Sequence, residues 1–454
     1  MSLLLSGGTL VRRLDPPAVE TGDLVVVDGR IGEPGQAVDQ PGRQERLDCA
    51  GCLVVPGNVC AHTHAYSALA RGMPFALDPP TSFIEILQRV WWRLDRALDL
   101  PAIRASALVA AAEAVRSGTT TLIDHHASPN AIDGSLDVIA EAFEEVGLRG
   151  LLCYETTDRD GLPRAAAGVE ENARFAGRVA DGRWPLSQAM VGAHASFTLS
   201  EATLDACVDL ADRTGCGLHI HVAEDAVDQA DADARFGRRV MARLADAGAL
   251  GARSVLAHAV HIDPAEAKII RDAGATVAHN PRSNLHNGVG RTPLGWLRGS
   301  VALGTDGIGA DMFEESRLAY LLGREETLDT APPASLGMLA RGAAVAGRAF
   351  GEPLLGTLVV GAPADLVVLD YDPPTPFSPD SMAGHWMFGP AAGRVRHVVV
   401  NGEVVVRDRQ LTRIDAAELA VEARGASRLL WERLERIGPH PFEPTRLLAG
   451  AGSP

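Results

Sequence analysis

His62 and His64 stand two residues apart in the run Pro56-Gly57-Asn58-Val59-Cys60-Ala61-His62-Thr63-His64. On a strand, residues at that spacing point to one face, so both imidazoles address a single ion. His194, His221, His258 and Asp306 each close a later apolar run, and Glu224 follows His221 by three residues. Three imidazoles (His62, His64, His221) and the Asp306 carboxylate form a ligand set for one divalent metal, zinc or Fe(II), with a coordination position left open for water. Metal binding brings the pKa of such a water to about 7, which provides a nucleophile at neutral pH. Glu224, set back from the ligands, is placed as general acid. His258 would steady the attacking water or polarise the substrate, and Asp306 would accept the water proton while also touching the metal. A lysine-bridged pair of metals is excluded by inventory, because the sole lysine, Lys268, lies in the helix after the sixth strand.

These residues converge only if the strands that carry them are neighbours. Helical stretches closed by glycine alternate with short β-rich runs at residues 53–59, 119–124, 150–155, 189–194, 216–221, 254–258, 275–280 and 301–306. Eight strands in strict βα order predict a parallel sheet closed into a (β/α)8 barrel, whose active face lies at the C-terminal strand ends. A chain of 454 residues exceeds the about 250 of a typical barrel, so an appended unit is expected. Residues 1–55 read as a small antiparallel β unit. Residues 353–414 add runs at 356–361 and 365–370 and a hairpin at 397–406 with Asn401-Gly402 as its turn. The two ends are expected to build one β-sandwich beside a barrel over 56–352. Residues 415–454 are expected to form an outer helix and a Pro-rich tail.

A net charge of −16 excludes nucleic acid as a partner, since a phosphate-binding face needs concentrated lysine and arginine. Six cysteines scattered through apolar stretches do not form a disulfide framework, and Cys49-Ala50-Gly51-Cys52 has no second pair to make a zinc ribbon. The start lacks a basic segment, and no run approaches the roughly 20 apolar residues of a membrane span. A cytoplasmic protein without membrane attachment is expected.

Nearly the whole chain resembles the deaminase and chlorohydrolase branch of the amidohydrolase superfamily. The motifs are Pro-Gly-x-x-x-x-His-x-His, His221-x-x-Glu224, His258, the loop His279-Asn280-Pro281-Arg282-Ser283-Asn284 and Gly304-Thr305-Asp306-Gly307. Residues 60–73, 91–99 and 119–130 are most similar to SsnA-type aminohydrolases. The resemblance implies His62, His64, His221 and Asp306 as metal ligands, with Glu224 and His258 moving protons. It also implies substrate contact by His194 and by the strand-seven loop with Asn284, and assembly into a homo-oligomer. Tyr154 and Glu155 end strand three, where related purine deaminases carry an arginine-containing loop, and are substrate-contact candidates. His125 and His126, just past strand two, are candidates for substrate contact or for orienting a ligand.

The implied reaction is hydrolytic deamination of a nitrogen heterocycle, purine-like or pyrimidine-like. The alternative is hydrolysis of another C–N or C–Cl bond, by cyclic amide opening or loss of chloride or alkylamine from a triazine. A metal-stabilised binding protein is a third reading, against which Glu224, His258 and Asp306 argue because binding needs no proton relay. His219, His261, His385, His397 and His440 read as structural, His219 as a barrel-core hydrogen bonder. Trp91 and Trp92 lie on an amphipathic helix over 83–98 and read first as core. An insertion after strand one would nevertheless overhang the pocket and could bring Trp92, Gln88 or Arg71 to substrate.

Overall fold

Gly57 is where two sheets part. In the computed structural model, which describes residues 2–34 and 44–445, Leu53–Pro56 runs antiparallel to Leu366–Leu369, whereas Asn58–Thr63 opens a separate parallel sheet. The single strand expected over 53–59 is therefore two. The Gly57 amide donates to Asp365 O at 2.9 Å and the next amide to Gly118 O at 3.1 Å, so hydrogen-bond partners change sheet here. A side chain at Gly57 would run into Thr120, which is why the crossing needs glycine.

Eight parallel strands follow in order: Asn58–Thr63, Thr119–His126, Arg149–Thr156, Val191–Ala195, Leu218–Val222, Val255–His258, Thr276–His279 and Val301–Leu303. Each is buried on both faces, as a barrel wall covered by helices must be. Closure runs through the site itself, because the amides of Thr305 and Asp306 both donate to His62 O, at 2.9 and 3.0 Å. The helices carry local stop and start signals. Asp263 and Glu266 form a capping box, Ser200 accepts from Thr203 N, and Gly215 and Gly274 end their helices at positive φ.

The two chain ends share a nine-stranded sheet. Its pairing is mixed where an antiparallel unit was expected. Ser2–Arg13 is antiparallel to Ala18–Val27, but pairs in parallel with Gln44–Asp48 along its first half and with Leu53–Pro56 along its second. Leu3, Leu10, Val54, Leu366 and Val399 meet in its core. The run at 356–361 is not a strand. Gly356 and Gly361 take φ of 83° and 84°, which turns the chain back at both ends of the run. The hairpin forms between Val395–Val400 and Glu403–Arg407, with Asn401 and Gly402 both at positive φ.

Arg149 ties barrel to sheet: its Nε donates to Asp365 Oδ2 at 2.6 Å, and both side chains are buried. Arg149→Ala strands the Asp365 charge and is expected to lower stability by about 3–5 kcal/mol in urea denaturation. An unchanged midpoint would show that water reaches Asp365 instead.

Ala416–Leu434 is the outer helix, anchored by Trp431 Nε1 to Leu69 O at 3.0 Å. Residues 437–445 then cross the insertion helix, where Gln88 Nε2 donates to Phe442 O at 2.8 Å. Residues 35–43 of the first segment and 446–454 of the tail lie outside the described residues. Among the described residues no helix is long and apolar enough to cross a membrane.

Candidate active site

Each of the three imidazoles expected to bind metal has its Nδ1 occupied. His62 Nδ1 lies 2.9 Å from His219 Nε2, His64 Nδ1 donates to His125 O at 2.6 Å, and His221 Nδ1 donates to His194 O at 2.8 Å. The carbonyl partners place the protons of His64 and His221 on Nδ1, so both Nε2 lone pairs face inward, 3.2 Å apart. Asp306 Oδ1 joins them, 3.0 Å from His64 Nε2 and 3.6 Å from His62 Nε2, and the four ligand atoms all lie within 4.8 Å of one another. His62 Nε2 is buried without a hydrogen-bond partner. Converging lone pairs with a carboxylate beside them require a positive charge between them, and the donor set fits one divalent ion.

Burial pushes His62 down to about 3 and His221 well below the ordinary histidine value, which keeps both neutral as ligands must be. Burial acts the same way on His64, but the hydrogen bond and charge of Asp306 outweigh it and push His64 up to about 9, so a cation binding there would displace a proton from Nε2. Asp306, despite burial, is held well below the carboxylate range by the neighbouring His62 and His64 imidazoles.

The second cluster stands beside the first. His258 Nδ1 donates to Asn284 Oδ1 at 2.8 Å, which turns Nε2 toward Glu224 Oε2 at 3.5 Å and Asp306 Oδ2 at 4.0 Å. Ser283 Oγ donates to Asp306 Oδ2, and Asn287 Nδ2 donates to Glu224 Oε1 at 3.3 Å. Burial raises Glu224 to about 7, partly opposed by the charge of His258. Its carboxyl can therefore carry a proton near neutrality. Four non-glycine residues here take left-handed backbone: Ala223, His258, Ala259 and Asp306, at φ of 45°, 73°, 51° and 53°. Such strain persists only where the surroundings enforce it, and here it turns the strand ends into the cavity.

A cavity opens over the two clusters. Of the candidates for substrate contact, Glu155 and His194 line it, whereas Tyr154, His125 and Asn284 do not. Tyr154 and Glu155 are adjacent on a strand and must face opposite sides. Glu155 points in, and Tyr154 packs outward against Gly168 and His126. His125 lies inside the barrel against the imidazole cluster, its ring 4.8 Å from that of His221, with Nε2 3.1 Å from Ala193 O and Nδ1 3.2 Å from Glu155 Oε2. Asn284 is taken up by His258. His126 is also buried and bonded to Ser128 Oγ at 2.9 Å.

Trp91 and Trp92 both reach the cavity, joined by Phe83, Leu87 and Tyr66. The insertion helix widens to a π-helical turn at Leu87–Trp91, a distortion common at functional sites. Gln88 is spent on the C-terminal tail, and Arg71 pairs with Glu113 outside the cavity. Phe197, Asp225, Asp228 and Asn287 also line the cavity and were missed. Only Asn287 had a local signal, one helical turn past Ser283. His219 is the barrel-core hydrogen bonder its place in the strand implied, and its partner is His62, an expected metal ligand: His219→Leu is expected to weaken metal affinity about 10- to 100-fold in chelator competition. Unchanged affinity would mean that packing alone orients His62.

A parallel barrel with these residues at its strand ends defines a hydrolase, and the family model of the amidohydrolase family matches residues 53–405. The chain belongs to that family, whose members here act on carbon–nitrogen bonds. It is 33% identical over 434 residues to 5-methylthioadenosine/S-adenosylhomocysteine deaminase of Desulforudis audaxviator, covering 91% of this chain and 95% of that protein. It is 32% identical over 374 residues to 5'-deoxyadenosine deaminase of Methanopyrus kandleri, covering 81% and 84%. Among solved structures, an adenosine deaminase from Xanthomonas campestris with bound zinc gives a TM-score of 0.81 at 26% identity, over 96% of this chain and 99% of that one. An atrazine chlorohydrolase from Arthrobacter aurescens gives 0.78 at 22% identity over 94% and 100%, a likeness of fold alone.

Proposed function

We propose that this protein is a metal-dependent deaminase that removes the exocyclic amino group of a purine-type heterocycle by hydrolysis and releases ammonia. The observation that carries the reading is the Glu224 carboxyl, buried beside His258 and Asp306 at the edge of the imidazole cluster and able to hold a proton near pH 7. The names of the relatives support purine over pyrimidine.

His62, His64, His221 and Asp306 would hold one divalent ion, zinc in first place and Fe(II) as the alternative, and when bound it acidifies a water. Glu224 donates its proton to the ring nitrogen next to the amino-bearing carbon, which makes that carbon electrophilic. Asp306 takes the proton that water loses on adding to the carbon, with His258 aligned by Asn284 to stabilise the oxygen. The C–N bond then breaks: the amino group leaves as ammonia with the proton held by Asp306, and the hydroxyl gives its proton back to Glu224 as the ring carbonyl forms. The aromatic residues of the wall suit a flat ring and keep bulk water out.

The test is ammonia release from purines, pterins, pyrimidines, nucleosides and aminotriazines by protein loaded in turn with zinc, manganese and Fe(II). Ammonia from purine-type compounds, lost on chelation and restored by metal, is expected. Halide, alkylamine or a new carboxylate in its place would overturn deamination and keep the hydrolase.

A further inference from the structure

The cavity is acidic well beyond what its chemistry uses. Five carboxyl side chains line it, Glu155, Glu224, Asp225, Asp228 and Asp306, and among the described residues no lysine or arginine does. Asp306 and Glu224 stand at the imidazole end, where the proposed reaction uses them. The other three have no part in that reaction. Asp228 is the least charged of these: burial pushes it up to about 7, and both its oxygens accept backbone amides, from Phe197 at 3.0 Å and Ala223 at 2.8 Å. Glu155 is held well below the carboxylate range, because the charges of His194 and of Arg159, the latter at 2.7 Å, outweigh the cost of burial. Arg159 itself does not line the cavity, and its charge is shared among Asp95, Glu155 and Asp160.

Asp225 is different. It is partly exposed, caps the helix Ala226–Phe236 by accepting from Val227 N at 2.9 Å, and has no basic partner among the described residues. Asn287 lines the cavity too, with its Nδ2 donating to Glu224 Oε1 and its Oδ1 buried without a hydrogen-bond partner. The lining thus combines the Asp225 carboxylate with aromatic residues that include Trp91, Trp92 and Phe197.

We propose that this cavity selects substrates whose part outside the reacting ring is neutral or cationic and carries hydrogen-bond donors, that it rejects carboxylate- and phosphate-bearing ones, and that Asp225 reads this charge. The reacting ring fills the imidazole end, so an anionic substituent would lie toward the Asp225 carboxylate, which has no basic partner among the described residues. In a partly dry cavity that repulsion is much stronger than in water. The inference rests on the deaminase reading, and its test separates the two.

Three probes share the adenine ring and differ at the 5' position: 5'-amino-5'-deoxyadenosine (cationic), 5'-deoxyadenosine (neutral) and adenosine 5'-monophosphate (anionic). For metal-loaded wild type and Asp225→Asn, kcat/KM for ammonia release and Kd by calorimetry are measured for each. Asparagine keeps the helix cap, so the variant should fold, which its melting temperature checks. The cation-to-anion ratio of kcat/KM is expected to exceed about a hundredfold in wild type. It should fall about tenfold in Asp225→Asn and shrink at high ionic strength. Turnover of the monophosphate as fast as the amine, or a ratio that Asp225→Asn does not move, overturns the proposal and leaves the deaminase reading standing. Binding in the expected charge order without ammonia refutes the reaction and supports the selection. If no probe binds or reacts, both fail.

Discussion

Asp306→Asn is expected to reduce ammonia release about 10⁴-fold, close to the level of protein stripped of metal. In the proposed reaction Asp306 has two tasks, one for each oxygen. Oδ1 stands 3.0 Å from His64 Nε2 in the ligand cluster, and Oδ2 faces His258 and receives the hydrogen bond of Ser283. An amide weakens the first and abolishes the second, because its nitrogen cannot accept a proton. The fold should survive the change. Barrel closure uses the backbone of Asp306, whose amide donates to His62 O at 3.0 Å, and asparagine tolerates the φ of 53°. Melting temperature and metal content separate a chemical loss from a structural one. A folded, metal-loaded variant that keeps a tenth of wild-type turnover would place proton acceptance elsewhere.

Glu224→Gln should cost about 10²- to 10⁴-fold in kcat, with metal content unchanged because Glu224 is not among the four converging ligand atoms. Its pH dependence is the sharper readout. Burial raises the carboxyl to about 7, so the protonated, donating form prevails below that pH and is lost above it. Wild-type kcat/KM should be level on the acid side and fall about tenfold per pH unit on the alkaline side. A bound divalent ion acts against the effect of burial, so the break falls at or below about 7. The residual rate of Glu224→Gln should lack this break. If the break persists, the proton donor is another group, His258 first among them.

The parts of the site that could be read from sequence are those that local geometry determines. A period of two puts His62 and His64 on one face, His221 and Glu224 are separated by three residues at a strand end, and eight βα units bring Asp306 back beside the first strand. The same local reasoning found the Asn401-Gly402 hairpin and the outer helix. It could not place Gly57 between two sheets, because that depends on the fit of Thr120 and on Asp365, far along the chain. It named both Tyr154 and Glu155, although strand alternation lets only one face the cavity and the neighbouring strands decide which.

By itself, then, the chain determined the barrel and the strand ends that bring His62, His64, His221, Asp306 and Glu224 together, since these follow from residue type and short-range periodicity. Only the tertiary structure decided which atoms hold these side chains in place and what lines the cavity. His62 and His219 are 157 positions apart, and the insertion helix, the helix after His221 and the helix with Asn287 meet only over the closed barrel. Such contacts depend on how distant segments pack, which no local pattern along the chain encodes.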